Sequence, residues 1–243
     1  MSARVRLALF AVGALGLGAL LVHGLVDLPS FGDYPGPYGD LIARLAPKER
    51  HMVNTVTAVV FDYRGFDTMG EELLLFAAAS AVALLLRERR EEHVADVVDA
   101  VSSPAVRGVG ALTAVILLVL GLNVVVHGFI TPGGGFQGGV ILAAAFATVF
   151  LAVEYRAYRR IASTSIGEPV ESFGAGAYVG LGLVSLALGL AFLENFLELG
   201  VPGRLSSGGS AILVNLSSAL AVLGGFLVVF SEYLEENMRE SHR

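Results

Sequence analysis

The sequence predicts an all-α integral membrane protein with about six transmembrane helices and one short re-entrant or interfacial helix near residues 51–63. Three features lead to this fold class. Hydrophobic residues make up 55% of the chain, and the mean hydropathy is +0.71. Charged residues make up only 16%, against about 25% in a typical soluble domain. The apolar residues also fall in blocks of about 20, the length of a helix that crosses a bilayer core.

Six of these apolar blocks are long enough to span a membrane. The first, from Val5 to Val26, is too long for the apolar core of a signal peptide and lacks a small-residue cleavage site, so we interpret it as a retained helix. The run from Val53 to Phe61 is too short to span alone and predicts the short helix. The predicted spans are residues 5–26, 70–87, 106–126, 138–156, 172–193 and 210–231.

The positions of arginine and lysine predict the orientation. With the N-terminus in the cytoplasm, the cytoplasmic segments carry eleven of these residues and the outer segments carry five. Because cytoplasmic loops are enriched in basic residues, both termini are expected in the cytoplasm. The chain has no cysteine, which excludes disulfides and cysteine-ligated clusters within it, and nothing in it indicates nucleic-acid binding.

A charged segment from Arg87 to Pro104, "RERREEHVADVVDAVSSP", divides the chain into two predicted units. Residues 1–95 form a two-span unit, and residues 100–235 form a four-span unit.

The stretch "FDYRGFDTMGEE" places five charged residues directly before a membrane helix. Ionisable groups at membrane depth are costly and indicate a function in ion movement. A structural alternative also fits, because Thr68 and Glu71 have the spacing of a capping box at a helix start. Both readings remain open at this point. The ion-path candidates here are Asp62, Arg64, Asp67, Glu71 and Glu72.

Other carboxylates fall at the ends of predicted spans. Glu154, Glu194, Glu198 and Glu232 are interpreted as boundary charges. His127 is either a hydrogen-bonded structural residue or a proton carrier, because histidine titrates near neutral pH, and it is added to the ion-path candidates.

The stretch "HGFITPGGGFQGG" separates two apolar blocks. Irregular backbone at membrane depth must be covered by protein or line an aqueous cavity, because lipid leaves its polar groups unpaired. The loop therefore predicts a compact turn packed on a neighbour, or an ion-access element near the start of the next helix. The residues of this loop are Pro132, Gly133, Gly134, Gly135, Phe136, Gly138 and Gly139.

The same stretch, "HGFITPGGGFQGGVILAAAF", resembles the signature of the MnhB/MrpB family, whose members are part of the multisubunit Na⁺/H⁺ antiporters known as Mrp complexes. The resemblance covers about residues 100–235 and implies four spans. "NTVTAVVFDYRGFDTMGEELLLF" resembles the MbhE-like domain, which ends the large A-type subunit in Mrp antiporters and is a separate small protein in membrane-bound hydrogenases. It is also similar to the membrane subunit of complex I beside the antiporter-like subunits.

These resemblances imply a multi-pass subunit in the plasma membrane of a prokaryote, within a complex that exports Na⁺ by using the proton-motive force. They imply no enzymatic activity, no cofactor, Na⁺ and H⁺ as transported ions, and large antiporter-like subunits as partners. Any metal site stays unassigned. The alternatives are the membrane arm of a hydrogenase or complex I-like redox-driven pump, a purely structural assembly role, and a stand-alone channel.

Overall fold

A computed structural model describes residues 3–26, 28, 32, 36–87, 103–153, 158, 160, 161 and 163–240. The predicted boundary between the two sequence units, near residues 95–100, lies outside these ranges, so that division stays a prediction. The chain forms two compact units, residues 1–41 and 42–243. The first contains α1, Ala3–Val26, whose apolar stretch has a hydropathy of 2.2.

The region before the second span consists of short helical pieces. Helix α2 covers Pro37–Leu45, a π-helical turn covers Ala46–Arg50, α3 covers Thr55–Ala58, and a second π-helical turn covers Val59–Tyr63. The Asn54 side chain caps α3 by accepting hydrogen bonds from two backbone N–H groups. A run of nine helical residues is about 14 Å long, so it cannot cross a bilayer core. The predicted short helix is confirmed.

Five further helices have the length and composition of membrane spans. They are α4, Gly65–Arg87; α5, Pro104–Val126; α6, Gly135–Ala152; α7, Thr164–Ala187; and α8, Ala211–Glu240. Together with α1 they give six candidate spans, and no strand occurs in the described ranges. The predicted all-α fold with six transmembrane helices is confirmed.

The predicted limits of the fourth and fifth spans were displaced. Helix α6 ends at Ala152 rather than near residue 156. Helix α7 begins eight residues before the predicted 172, because Pro169 removes only one backbone donor and the packing of this end on α8 holds the helix together. It ends at Ala187 rather than 193, where Gly189 adopts a φ of +79° and the Leu190 N–H donates to the Ser185 carbonyl.

Helix α8 is the centre of the helix bundle. It packs against α4, α6 and α7, and 61% of its span is buried, against 33% or less for every other span. Small residues make this packing close: a Cβ on Gly139 would meet the Ala219 carbonyl oxygen at 2.8 Å, and one on Gly174 would meet the α8 backbone at Ala221. Close approach through small residues is typical of helix association in membranes.

The bundle has two chemically different ends. At the first, which we call the loop end, the His51 ring nitrogen Nδ1 lies 2.6 Å from the Gly200 carbonyl oxygen, and the Val53 N–H donates to the Phe129 carbonyl. At the second, which we call the Glu232 end, the Thr164 hydroxyl donates to the Glu232 carboxylate. The positive-inside pattern predicts that the loop end faces outward and the Glu232 end faces the cytoplasm.

Candidate functional site

The glycine loop is a tight reversal between α5 and α6. Helix α5 is capped at His127, and two residues of the loop, Gly133 and Gly134, have φ angles of 149° and 139°. Side chains are strained in this backbone region, so the turn requires glycine at both positions. Helix α6 then begins at Gly135, directly against α8, where a Cβ would collide with the Asn215 carbonyl oxygen.

Asn215 of α8 fills the site that the helix start offers. Its Oδ1 accepts a hydrogen bond of 2.6 Å from the Gly135 N–H, and its Nδ2 donates to the Val125 carbonyl at 3.0 Å. A side-chain amide therefore occupies the position where an anion would bind at the start of α6. The arrangement joins the end of α5, the start of α6 and the first turns of α8.

The carbonyl groups of the loop are also engaged by protein. The Asn54 Nδ2 donates to the carbonyls of Gly128 and Thr131 at 2.7 and 2.9 Å, and the Thr57 hydroxyl donates to Gly128 at 2.7 Å. His127 is half-buried, with Nδ1 lying 3.1 Å from the Asn123 carbonyl. The sequence predicts either a compact turn or an ion-access element for this loop, and these contacts favour the compact turn.

The candidate ion-path residues fall into three environments, of which the first is the loop end. Asp62 is held there from two sides: Arg50 Nε lies 3.2 Å from Oδ1, and the Asn195 Nδ2 donates to Oδ2 at 3.1 Å. The Arg50 guanidinium also lies over the Tyr63 ring, 5.2 Å from its centroid. Burial and the adjacent Glu49 carboxylate raise the pKa of the Tyr63 phenol, which donates to Glu49 at 3.3 Å.

The second environment is the exposed start of α4. Arg64 and Asp67 form an ion pair in which both side chains are about half-exposed or more, and Glu71 is also exposed. Helix α4 begins at Gly65, so Thr68 lies inside the first turn and does not cap the helix; the predicted capping box is wrong. Thr68 is instead buried toward the bundle, and its side chain contacts the Tyr178 hydroxyl.

The third environment is the helix interface, and Glu72 alone of the predicted residues lies there. Only 1% of Glu72 is exposed. The Ser218 hydroxyl of α8 donates a short hydrogen bond to its Oε1, while Oε2 has no partner among the described residues. On the loop-end side, the buried Tyr178 hydroxyl donates to the Gly65 carbonyl at 2.9 Å and belongs to an apolar cluster with Phe61. Glu72 is therefore a buried carboxyl with a single hydrogen-bond donor.

Sequence reasoning missed a second buried carboxyl, Glu171. It is 2% exposed, and its Oε1 has no hydrogen-bond partner in the described part of the chain. The sequence does carry a signal for it: Gly167, Glu171, Gly174 and Tyr178 recur at a spacing of three to four residues, which places them on one face of a helix. The misplaced start of the fifth span hid that face.

Glu232 is also buried, although the sequence reading took it for a boundary charge. It is 2% exposed, and its Oε1 accepts a hydrogen bond of 3.0 Å from Thr164. Among the residues that the structure describes, no group of three or more His, Asp or Glu side chains is arranged to hold a metal ion.

Comparison with known proteins places this geometry in a family. Residues 105–228 match the family described as a domain related to the MnhB subunit of Na⁺/H⁺ antiporters. The chain belongs to this family. The MnhB match contains the glycine loop, Asn215, Ser218 and Glu171, whereas Glu72 precedes it.

Two relatives by sequence extend the match. The chain is 29% identical to an uncharacterised protein of Methanocaldococcus jannaschii, over 71% of this chain and 73% of that protein. It is 25% identical to a probable K⁺/H⁺ antiporter subunit of the A/B type from Rhizobium meliloti, over 97% of this chain but only 26% of that protein.

Two solved structures share the fold over nearly the whole chain. One is a chain of an archaeal respiratory complex, the membrane-bound sulfane sulfur reductase, with 30% identity, a TM-score of 0.69, and coverage of 95% of this chain and 98% of that one. The other is a chain of the Mrp complex of Dietzia sp. DQ12-45-1b, with 26% identity, the same TM-score, and coverage of 96% and 26%. The MnhB-family chain is therefore a multi-pass membrane subunit of an antiporter-type complex.

Proposed function

We propose that this chain is a B-type subunit of a multisubunit Na⁺/H⁺ antiporter that uses the proton-motive force to export Na⁺, and that Glu72 lies on its ion path. Its partners would be other membrane subunits, including large antiporter-like ones, in the plasma membrane of a prokaryote. Both termini would lie in the cytoplasm. The chain would act as a transporter subunit rather than an enzyme and would use no cofactor, with Na⁺ and H⁺ as the transported ions.

The Glu72–Ser218 contact is the observation that carries the proposal. Burying a carboxylate costs several kcal/mol unless it is paired or protonated, and charged groups within a membrane span mark ion pathways. Glu72 is 1% exposed and has one hydrogen-bond donor, and no basic side chain pairs with it among the described ion pairs. A carboxyl in this setting binds and releases a cation or a proton when water reaches it.

The remaining candidates take supporting positions in this proposal. Asp62, with Arg50 and Asn195, fixes the loop end and stands where ions would leave or enter. Arg64, Asp67 and Glu71 are exposed on this chain, so we assign them to contact with a neighbouring subunit that continues the path. His127 and the glycine loop hold the ends of α5 and α6 against α8, the helix that carries Ser218.

The test is to purify the complex gently through a tag on this chain, identify its subunits, and reconstitute it in liposomes. An imposed pH gradient should drive Na⁺ movement, and K⁺ is assayed in parallel because one relative is named for K⁺/H⁺ antiport. Replacing Asp67 or Glu71 with alanine should impair antiport while the complex still assembles. Normal antiport by every charge-removing variant, with the complex intact, would favour an assembly role instead.

A second function is favoured by one specific observation. The chain matches a chain of the sulfane sulfur reductase complex end to end, covering 98% of it, whereas it matches only 26% of the Mrp chain. The same ion path would then belong to a redox-driven pump. Co-purification with redox subunits, and ion movement that starts only when an electron donor and acceptor are added, would favour this function over antiport.

A further inference from the structure

The buried carboxyls are spaced regularly along α8. Ser218, Gly225 and Glu232 follow one another at intervals of seven residues. Seven residues make almost two full turns, so the three positions share one face of the helix and lie about 10 Å apart. One carboxyl group lies at each position. Glu72 accepts a hydrogen bond from Ser218, Glu171 Oε1 lies against Gly225, and Glu232 is itself the third residue.

Glycine at position 225 makes room for the middle carboxyl. A Cβ there would lie 2.8 Å from Glu171 Oε1 and 3.4 Å from the Leu75 side chain of α4. At the preceding residue, Gly224, a Cβ would collide with the backbone of Glu171. Helices α7 and α8 therefore touch at this level, and the carboxyl of Glu171 is turned toward α4.

A cavity of about 550 Å³ leads to this carboxyl from the Glu232 end. Helix α4 contributes Phe76 and Ser80 to its wall, α7 contributes Glu168 and Glu171, and α8 contributes Glu232 and Glu235. The cavity is much larger than the volume of one water molecule, about 30 Å³, and its polar lining offers the partners that ordered water needs. Its wall ends at Phe76, one helical turn from Glu72.

We propose that this cavity is an aqueous half-channel that delivers protons from the Glu232 end to Glu171, and that Glu171 exchanges them with Glu72. The inference rests on the proposed function for the role of Glu72. A proton from cavity water binds a carboxylate oxygen of Glu171 and is passed through water to Glu72. Only O–H bonds form and break in these transfers. The Tyr178–Phe61 cluster closes the path toward the loop end, so the described cavity serves one side of the membrane.

The surroundings of Glu171 favour a proton over a metal cation. A hard cation needs about six oxygen ligands to replace its water, whereas Glu171 Oε1 lies beside the Gly225 backbone and the apolar Leu75. This oxygen is buried and has no hydrogen-bond partner in the described ranges, so it has the capacity to take a proton. The titratable groups that face it are Glu168 on its own helix, Glu232 and Glu235 on α8, and Glu72 on α4.

The first experiment tests whether water fills the cavity. The chain has no cysteine of its own, so single cysteines can be placed without background in this chain. Ser80→Cys lies on the cavity wall, and its neighbour Ala81→Cys is exposed on another side of α4. In the intact complex in membrane vesicles, a charged thiol reagent applied from the Glu232 side should label Ser80→Cys and leave Ala81→Cys unlabelled. As a control, both variants are denatured and should then be labelled. Absence of label on Ser80→Cys in the intact complex would overturn the half-channel.

The second experiment tests the proton on Glu171. A hydrophobic carbodiimide reacts with protonated carboxyls in apolar surroundings, and mass spectrometry of the chain locates the adduct. We expect an adduct on Glu171 that falls as pH rises, is absent in Glu171→Gln and persists in Glu198→Gln, a variant of an exposed loop residue. Protection by Na⁺ or K⁺ at constant pH would show a cation site instead and would overturn the assignment to protons.

The third experiment joins the site to transport. Glu171→Gln and Gly225→Ala should both lower proton-coupled transport by the complex, and Glu198→Gln should not. Labelling of Glu171 in a complex that shows no antiport would contradict the proposed function but still support the half-channel. Normal antiport by Glu171→Gln, together with an unlabelled Ser80→Cys, would contradict the half-channel but still support the antiporter function.

Discussion

The Ser218 hydroxyl on α8 donates a hydrogen bond to the Glu72 carboxyl on α4. This contact joins the two parts of the chain that the sequence separates, because Ser218 lies within the MnhB match and Glu72 lies before it. Each partner is almost fully buried. The hydrogen bond therefore holds α4 against α8, with the carboxyl and its donor supplied by residues that are 146 positions apart in the sequence.

The donor itself is the first point to test. Ser218→Ala removes the hydrogen bond to Glu72 and leaves the buried carboxyl without a partner, which costs about 1–3 kcal/mol or more. We expect transport by the reconstituted complex to fall on the order of tenfold, since about 1.4 kcal/mol corresponds to a factor of ten. The matched control is Ser217→Ala, because the Ser217 hydroxyl donates to the Leu213 carbonyl of its own helix. Equal effects of the two substitutions would argue against a special role for Ser218.

The close contact between α6 and α8 leads to a second prediction. Gly135→Ala adds a Cβ that collides with the Asn215 carbonyl oxygen, whereas Gly108→Ala, on α5, meets nothing within 4 Å. Overpacking of this kind costs about 1–3 kcal/mol. We expect Gly135→Ala to lower the melting temperature of the purified complex and its yield on native gels. Gly108→Ala should behave as wild type, and a normal yield of Gly135→Ala would show that the loop tolerates wider packing.

A third prediction concerns the segment that follows α7 at the loop end. Asn195 donates to Asp62 and Gly208, and its Oδ1 accepts from the Ser210 N–H at 2.8 Å. Asn195→Ala should therefore release the segment around the exposed Arg204. In spheroplasts, trypsin should cut after Arg204 on the order of tenfold faster, because lost hydrogen bonds lower the free energy of local opening.

Glu198→Ala, on the same segment, serves as the control and should leave the cutting rate unchanged. Cleavage that occurs only in inverted vesicles would contradict the predicted orientation.

The sequence was sufficient for the helices but not for the interface. Blocks of apolar residues predicted six spans because the bilayer sets their length, and the structure confirms all six. The start of α7 was not predicted, since Glu168, Pro169 and Glu171 are charged or helix-breaking residues that precede the apolar run. They are helical because small residues such as Gly167 and Gly174 bring this end of α7 onto α8, a tertiary effect that hydropathy does not contain.

The candidate site shows the same limit. Hydropathy and motif reading found Glu71 and Glu72 together, but only the packing of α4 on α8 separates an exposed carboxylate from a buried one. Glu171 was missed for a related reason: its significance depends on Gly225, which is 54 residues away in the sequence. The roles of Asp62, Arg64, Asp67, Glu71, Glu72 and His127 stay predictions.

Cation uptake coupled to a pH gradient, measured with the Glu72→Gln variant, tests the central claim most directly. The intact complex is reconstituted in liposomes at matched protein amounts, with wild type and Glu198→Gln as references. We predict that Glu72→Gln reduces uptake to the level of empty liposomes, because glutamine keeps the size of the side chain and its contact with Ser218 but cannot exchange a proton. Wild-type uptake by a fully assembled Glu72→Gln complex would contradict an ion path through this carboxyl.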